Sequence, residues 1–127
     1  MSGKTATGKT IGEVEKLTGI PKRKLKYFIE QGLVQPSQKS ESGYWLYSEK
    51  DMKMVQLASL CQELDFPVKS IRAILADPSR HWQKELERQM IQLTVKKART
   101  EAQLARAEVL LLNWKSEEWA SLVKQVI

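Results

Sequence analysis

Only three residues, Thr18-Gly19-Ile20, separate two short helix patterns in the first third of the chain, and few architectures tolerate so tight a joint. Thr10 followed by Glu13 forms a capping box, and Ile11, Val14 and Leu17 make an apolar stripe at helical spacing. Gly19 ends that helix because glycine enters the left-handed C′ conformation at little cost. Pro21 opens a second helix at its first turn, where a missing N–H is harmless, and Gly32 closes it after Gln31. Leu25, Phe28 and Ile29 are its expected buried side. Two helices joined this way predict a helix-turn-helix, whose second helix enters a major groove by its first turns.

The charge supports that geometry. Lys22, Arg23, Lys24 and Lys26 place four cations and no acid within five residues. Such a cluster repels itself unless an anion lies against it. The whole chain carries a formal net charge of +6, and the excess is uneven. Residues 1–50 hold nine Lys/Arg against five Asp/Glu, while the other 77 residues hold twelve against ten. Tyr27 lies beside the cluster.

Leu33 and Val34 begin an extended segment, and Tyr44, Leu46 and Tyr47 return as a strand of β-formers after a polar run. A hairpin of this size behind the second helix is a wing. Lys39, Ser40, Gly43, Tyr44, Trp45 and Tyr47 are its expected DNA contacts, along the phosphate backbone or in the neighbouring minor groove.

Ser48 and Asp51 form another capping box, for a helix to about Leu64 with Met54, Leu57, Ala58, Cys61 and Leu64 on one face. Cys61 falls inside that stripe, which predicts a small core residue rather than a reactive thiol. As the sole cysteine it forms no intrachain disulfide, in keeping with a reducing cytoplasm. Asp65-Phe66-Pro67 breaks the chain before a short helix with Ile71, Ile74 and Leu75 inward, and Asp77-Pro78-Ser79 is expected to end the compact part.

From Arg80 to Leu112 there is neither proline nor glycine. Ile91, Val95, Ala98, Ala102, Ala105, Val109 and Leu112 follow one another at alternating spacings of four and three, the seam of a coiled coil. Its alanines allow close approach, and a lone helix with an exposed seam is a poor monomer, so a homodimer is expected. Trp82 and Trp114 flank this helix and are expected to pack at its ends. Ser116 caps a last amphipathic pattern with Trp119, Leu122, Val123 and Val126.

Residues 3–10 spell the phosphate-loop pattern G-x-x-x-x-G-K-[ST]. That loop needs a buried strand leading into it, and Met1-Ser2 supplies none, so residues 1–9 are expected to be a flexible basic tail. No nucleophile, base and oxyanion site assemble in the pattern, which speaks against an enzyme, and no cofactor or metal site is read from it. No apolar run reaches the roughly 20 residues of a membrane helix. The expected organisation is therefore mainly α: a winged helix-turn-helix over 10–78, then a dimerisation helix and a short C-terminal helix over 79–127.

Ile11-Gly12-Glu13-Val14, Thr18-Gly19-Ile20-Pro21, Lys26-Tyr27-Phe28, Gln31-Gly32-Leu33-Val34, Ser42-Gly43-Tyr44-Trp45-Leu46-Tyr47 and Asp51-Met52, in that order, resemble the MerR family of bacterial transcription regulators. The resemblance covers about residues 10 to 76. It implies an antiparallel coiled-coil dimer on a pseudo-palindromic promoter element in double-stranded DNA. It also implies activation by distorting an over-long promoter spacer so that RNA polymerase engages. Arg23, Lys26 and Tyr27 correspond to the family's recognition-helix residues, and Tyr44 and Tyr47 to its wing. Trp45 stands where the family usually carries arginine, so an indole that stacks or donates one hydrogen bond replaces a bidentate guanidinium. The family's metal sensors have cysteines near the start of the dimer helix and after it; none stands around Ser79 or after Leu112, which speaks against soft-metal sensing. A small apolar effector between the Trp-bearing arms, or no effector, both fit, and too few residues follow Leu112 for a separate effector domain. The alternative reading is a coiled-coil module that recruits a protein partner and binds DNA non-specifically.

Overall fold

The computed structural model describes residues 8–114, and the expected C-terminal helix with Trp119, Leu122, Val123 and Val126 lies outside them. Five helices and a two-stranded hairpin follow in the order α1 (Ile11–Thr18), α2 (Lys22–Glu30), β1 (Gln38–Lys39), β2 (Trp45–Leu46), α3 (Glu49–Glu63), α4 (Val68–Ala76) and α5 (Pro78–Leu112). Two units divide the chain after Gln89.

Local signals set the element ends. Thr10 Oγ1 accepts from the Glu13 N–H at 3.2 Å while the Glu13 carboxylate accepts from the Thr10 N–H at 2.8 Å, the reciprocal capping box at the head of α1. Gly19 takes φ +76° after α1, and its N–H donates to the Glu15 carbonyl. Ser48 and Asp51 repeat the box on α3. Asp51 does more, for its Oδ2 also accepts from the main chain and hydroxyl of Ser37, which ties the strand entering the hairpin to α3.

The core of the first unit is built from Val14, Ile20, Leu25, Phe28, Val34, Val55, Ala58, Cys61, Phe66, Ile71 and Ile74. Each face follows helical periodicity, with three differences from the expected stripes: Ile29, expected on the buried side of α2, is half-buried and outside the core cluster. Leu17 is 62% exposed, and Val55 rather than Met54 is fully buried on α3. Cys61 is buried, and burial pushes its thiol up to about 11, so it stays protonated at neutral pH.

The compact part does not end at Ser79. Pro78 begins α5 instead of terminating the chain's order, as proline does at a first helical position. Trp82 packs 6.2 Å from Phe66 between ring centroids, and Leu86 rests on the same core. One turn further, the buried Gln89 amide donates to the carbonyls of Leu64 (2.7 Å) and Asp65 (3.1 Å), satisfying the open end of α3. Beyond Gln89 the described residues of the second unit continue α5 to Leu112, with Ile91, Val95, Ala98, Ala102, Ala105, Val109 and Leu112 all exposed along it. Trp114 is exposed as well, whereas packing was expected for it.

The phosphate-loop pattern is occupied by other bonds. Lys9 and Tyr47 exchange both main-chain hydrogen bonds, at 2.9 and 2.7 Å, and the Thr10 N–H is held by Glu13. Neither donor is left for a phosphate. Lys9 therefore belongs to the hairpin, not to the tail expected over 1–9. No helix among the described residues is long and apolar enough to cross a membrane.

Candidate nucleic-acid interface

Helix α2 is held at both ends by side chains from other helices. Pro21, its N-cap, offers no side-chain acceptor. Glu15 on α1 fills that role, its Oε2 accepting from the Lys22 N–H at 3.0 Å. A carboxylate at a helix N-terminus also meets the positive end of the helix dipole. At the other end, Arg72 on α4 donates from Nη2 to the Gln31 carbonyl at 2.8 Å. The helix is thus fixed in direction as well as in depth, where Leu25 and Phe28 are its fully buried anchors.

At about 100° per residue, Lys22, Arg23, Lys26 and Glu30 fall within roughly a third of the helix circumference, opposite those anchors. All four are exposed. The three cations occupy the first turn and a half, and the acid lies at the far end. Lys24 separates from them: it is half-buried, and its Nζ reaches Ser59 Oγ on α3 at 3.5 Å. It therefore stands apart from the other three cations, on the side of α2 that meets α3. Tyr27 is half-buried at the edge, with its ring 6.3 Å from that of Phe28.

The hairpin pairs Gln38 with Leu46 and Lys39 with Trp45 in antiparallel register. Its tip closes when the Gly43 N–H donates to the Ser40 carbonyl at 3.0 Å, with Gly43 at φ +90°, a left-handed position that suits glycine. Ser40 is engaged inside this turn, its Oγ accepting from the Tyr44 N–H at 3.0 Å. Leu46 turns into the core, while Tyr44 (69% exposed) and Trp45 (57%) project outward. Lys39 is exposed beside them, its Nζ 5.1 Å from the Trp45 ring centroid.

Tyr47 departs from the expected wing set. It is 1% exposed, and burial, with the charge of Asp51 adding to it, raises its phenol above the usual value. An aromatic β-former in a half-exposed hairpin serves the core as readily as a ligand, and here it serves the core. The exposed candidates are therefore Lys22, Arg23 and Lys26 on α2 and Lys39, Tyr44 and Trp45 on the wing, with Tyr27 half-buried. Sequence reasoning missed the residues that fix the ends of α2, Glu15 and Arg72; neither belongs to a motif with the main-chain group it holds. Among the described residues no cluster of His, Cys, Asp and Glu could hold a metal ion.

The family model described as MerR HTH family regulatory protein matches residues 9–77, the stretch that holds α1 to α4 and the wing. The HTH-type transcriptional activator TipA of Streptomyces coelicolor is 32% identical over 80 residues, covering 63% of this chain and 32% of TipA. The chain thus spans about a third of that relative's length. The HTH-type transcriptional regulator CueR of Vibrio cholerae is 28% identical over 109 residues, covering 75% of this chain and 78% of CueR. Among solved structures, the N-terminal part of MtaN, the Bacillus subtilis multidrug transporter activator, is 26% identical with a TM-score of 0.72, covering 82% of this chain and 98% of that one. A capped helix-turn-helix, a two-stranded wing and a family model that spans both agree: this chain belongs to the MerR family of helix-turn-helix regulatory proteins.

Proposed function

We propose that this protein is a sequence-specific transcription regulator, not an enzyme, that binds a pseudo-palindromic promoter element in double-stranded DNA as a homodimer in the cytoplasm. The observation that carries the reading is the face of α2: Lys22, Arg23 and Lys26 exposed together on a helix whose two ends Glu15 and Arg72 hold in place. Cations at the leading turns of a second helix, with anchors behind them, suit insertion into a major groove. The wing then lies over neighbouring backbone, where Lys39 meets phosphate.

Dimerisation follows from the second unit. Its seam from Ile91 to Leu112 is exposed throughout, with three consecutive alanines at the middle positions. An antiparallel partner helix buries that seam and presents two copies of α2 to two half-sites. Bending of the promoter between them, so that RNA polymerase engages, is the mode of action we assign, in line with relatives named as activators.

Selection of duplexes from a random library, with sedimentation of the free and bound protein, tests the reading. The expected result is a dimer that enriches a dyad-symmetric site and whose affinity falls steeply with salt. Enrichment of no sequence, or a monomer at micromolar concentration, contradicts it.

A further inference from the structure

The wing carries no arginine between Lys39 and Tyr47; its exposed cation is Lys39, and that lysine does not stand alone. Lys39 and Trp45 are directly opposed in the ladder. The neighbouring pair is joined by the Ser40 N–H donating to the Tyr44 carbonyl at 2.8 Å. The alternation of an antiparallel ladder then makes Lys39–Trp45 the non-hydrogen-bonded pair, the one whose side chains approach most closely. The ammonium sits 5.1 Å from the indole centroid, within reach of a cation–π attraction, and both residues are exposed.

An isolated surface lysine is a mobile point charge that must be ordered when it meets a phosphate. A lysine resting on an indole has lost much of that freedom already. Because the indole meets the ammonium only through its π face, the ammonium keeps the N–H donors that point away from the ring for an anion. Resting on the reading of this protein as a DNA-binding regulator, we infer that Lys39 and Trp45 act as one composite phosphate clamp, in which Trp45 is a positioning residue that pre-orders Lys39 on the DNA backbone.

A pair acting as a unit has effects that do not add. On a duplex selected by the native protein, Trp45→Ala and Lys39→Gln each weaken binding roughly tenfold, and the double variant is little weaker than either single one. Lys39→Gln also reduces the steepness of the salt dependence by about one per wing. Trp45→Phe, which keeps a ring beneath the ammonium, retains most of the affinity. Trp45→Arg retains it too, with a steeper salt dependence, because a guanidinium supplies charge of its own. Melting temperatures stay within a few degrees of native, since both side chains are exposed.

Additive losses in the double variant overturn the composite clamp and leave two independent contacts. Unchanged binding by Trp45→Ala overturns it as well. If those variants bind normally while Arg23→Ala and Lys26→Ala do not, the wing inference alone falls. If the native protein binds no duplex, the reading of α2 falls and the clamp with it.

Discussion

Arg72 on α4 donates to the main-chain carbonyl of Gln31 at the end of α2, 41 residues away, at 2.8 Å. The bond satisfies a carbonyl that the helix itself leaves open and ties the groove-facing helix to the support behind it. Arg72→Ala is expected to cost about 1 kcal/mol, the scale of one charge-assisted hydrogen bond at the surface. Because Arg72 fixes the angle of α2, DNA affinity should fall further than a loss of stability of that size explains. Thermal melting and duplex titration, run side by side, measure the two; an unchanged affinity contradicts a positioning role.

Asp51 gives a pH dependence with a definite sign. Burial raises its carboxyl, but hydrogen bonds from Ser37 and Ser48 outweigh that and hold it below the usual carboxylate value. A carboxylate depressed on folding contributes stability that is present above its unfolded value, near pH 4, and is lost as the pH falls through the lower folded value. Melting temperature should therefore decline below about pH 4. Asp51→Asn should cost about 1 kcal/mol at neutral pH, as loss of a cap does, and flatten part of the acid decline. Only part is removed, because Glu13, whose carboxylate is lowered first by its bond to the Thr10 main chain, titrates in the same direction.

The same reasoning makes Cys61 inert. With the side chain buried and the thiol pushed up to about 11, the nucleophilic thiolate is scarce at neutral pH. Alkylation by a maleimide or iodoacetamide should be slow in the native protein and rise with denaturant in step with unfolding. Rapid labelling without denaturant is the contrary result.

The seam of the second unit is testable at its middle. Ala102→Glu places a carboxylate where a partner helix must approach closely, so sedimentation should give monomers with helical content retained. A stable dimer in this variant contradicts the seam from Ile91 to Leu112.

What could be read from the sequence was local. The boxes at Thr10/Glu13 and Ser48/Asp51 span three residues and Gly19 acts on its own helix, so their geometry is written in adjacent letters. Three bonds that cross between helices were invisible for the opposite reason. Glu15 to Lys22, Arg72 to Gln31 and Gln89 to Leu64 all end on main-chain groups, which carry no residue-type signal. Lys24 and Tyr47 show a second limit. Charge and aromaticity mark residues suited to DNA, but the direction of a side chain depends on packing, and packing turns Lys24 toward Ser59 and Tyr47 into the core. Pro78 shows a third, since proline ends one helix and starts another with equal ease.

The central claim is that the exposed cations of α2 read DNA without holding up the fold. Affinity for the selected duplex, measured for Arg23→Ala and Lys26→Ala beside their melting temperatures, tests it most directly. Each substitution is expected to weaken binding by about 1–3 kcal/mol while leaving the melting temperature near native. Native affinity in both variants, or a loss of binding matched by an equal loss of stability, would contradict it.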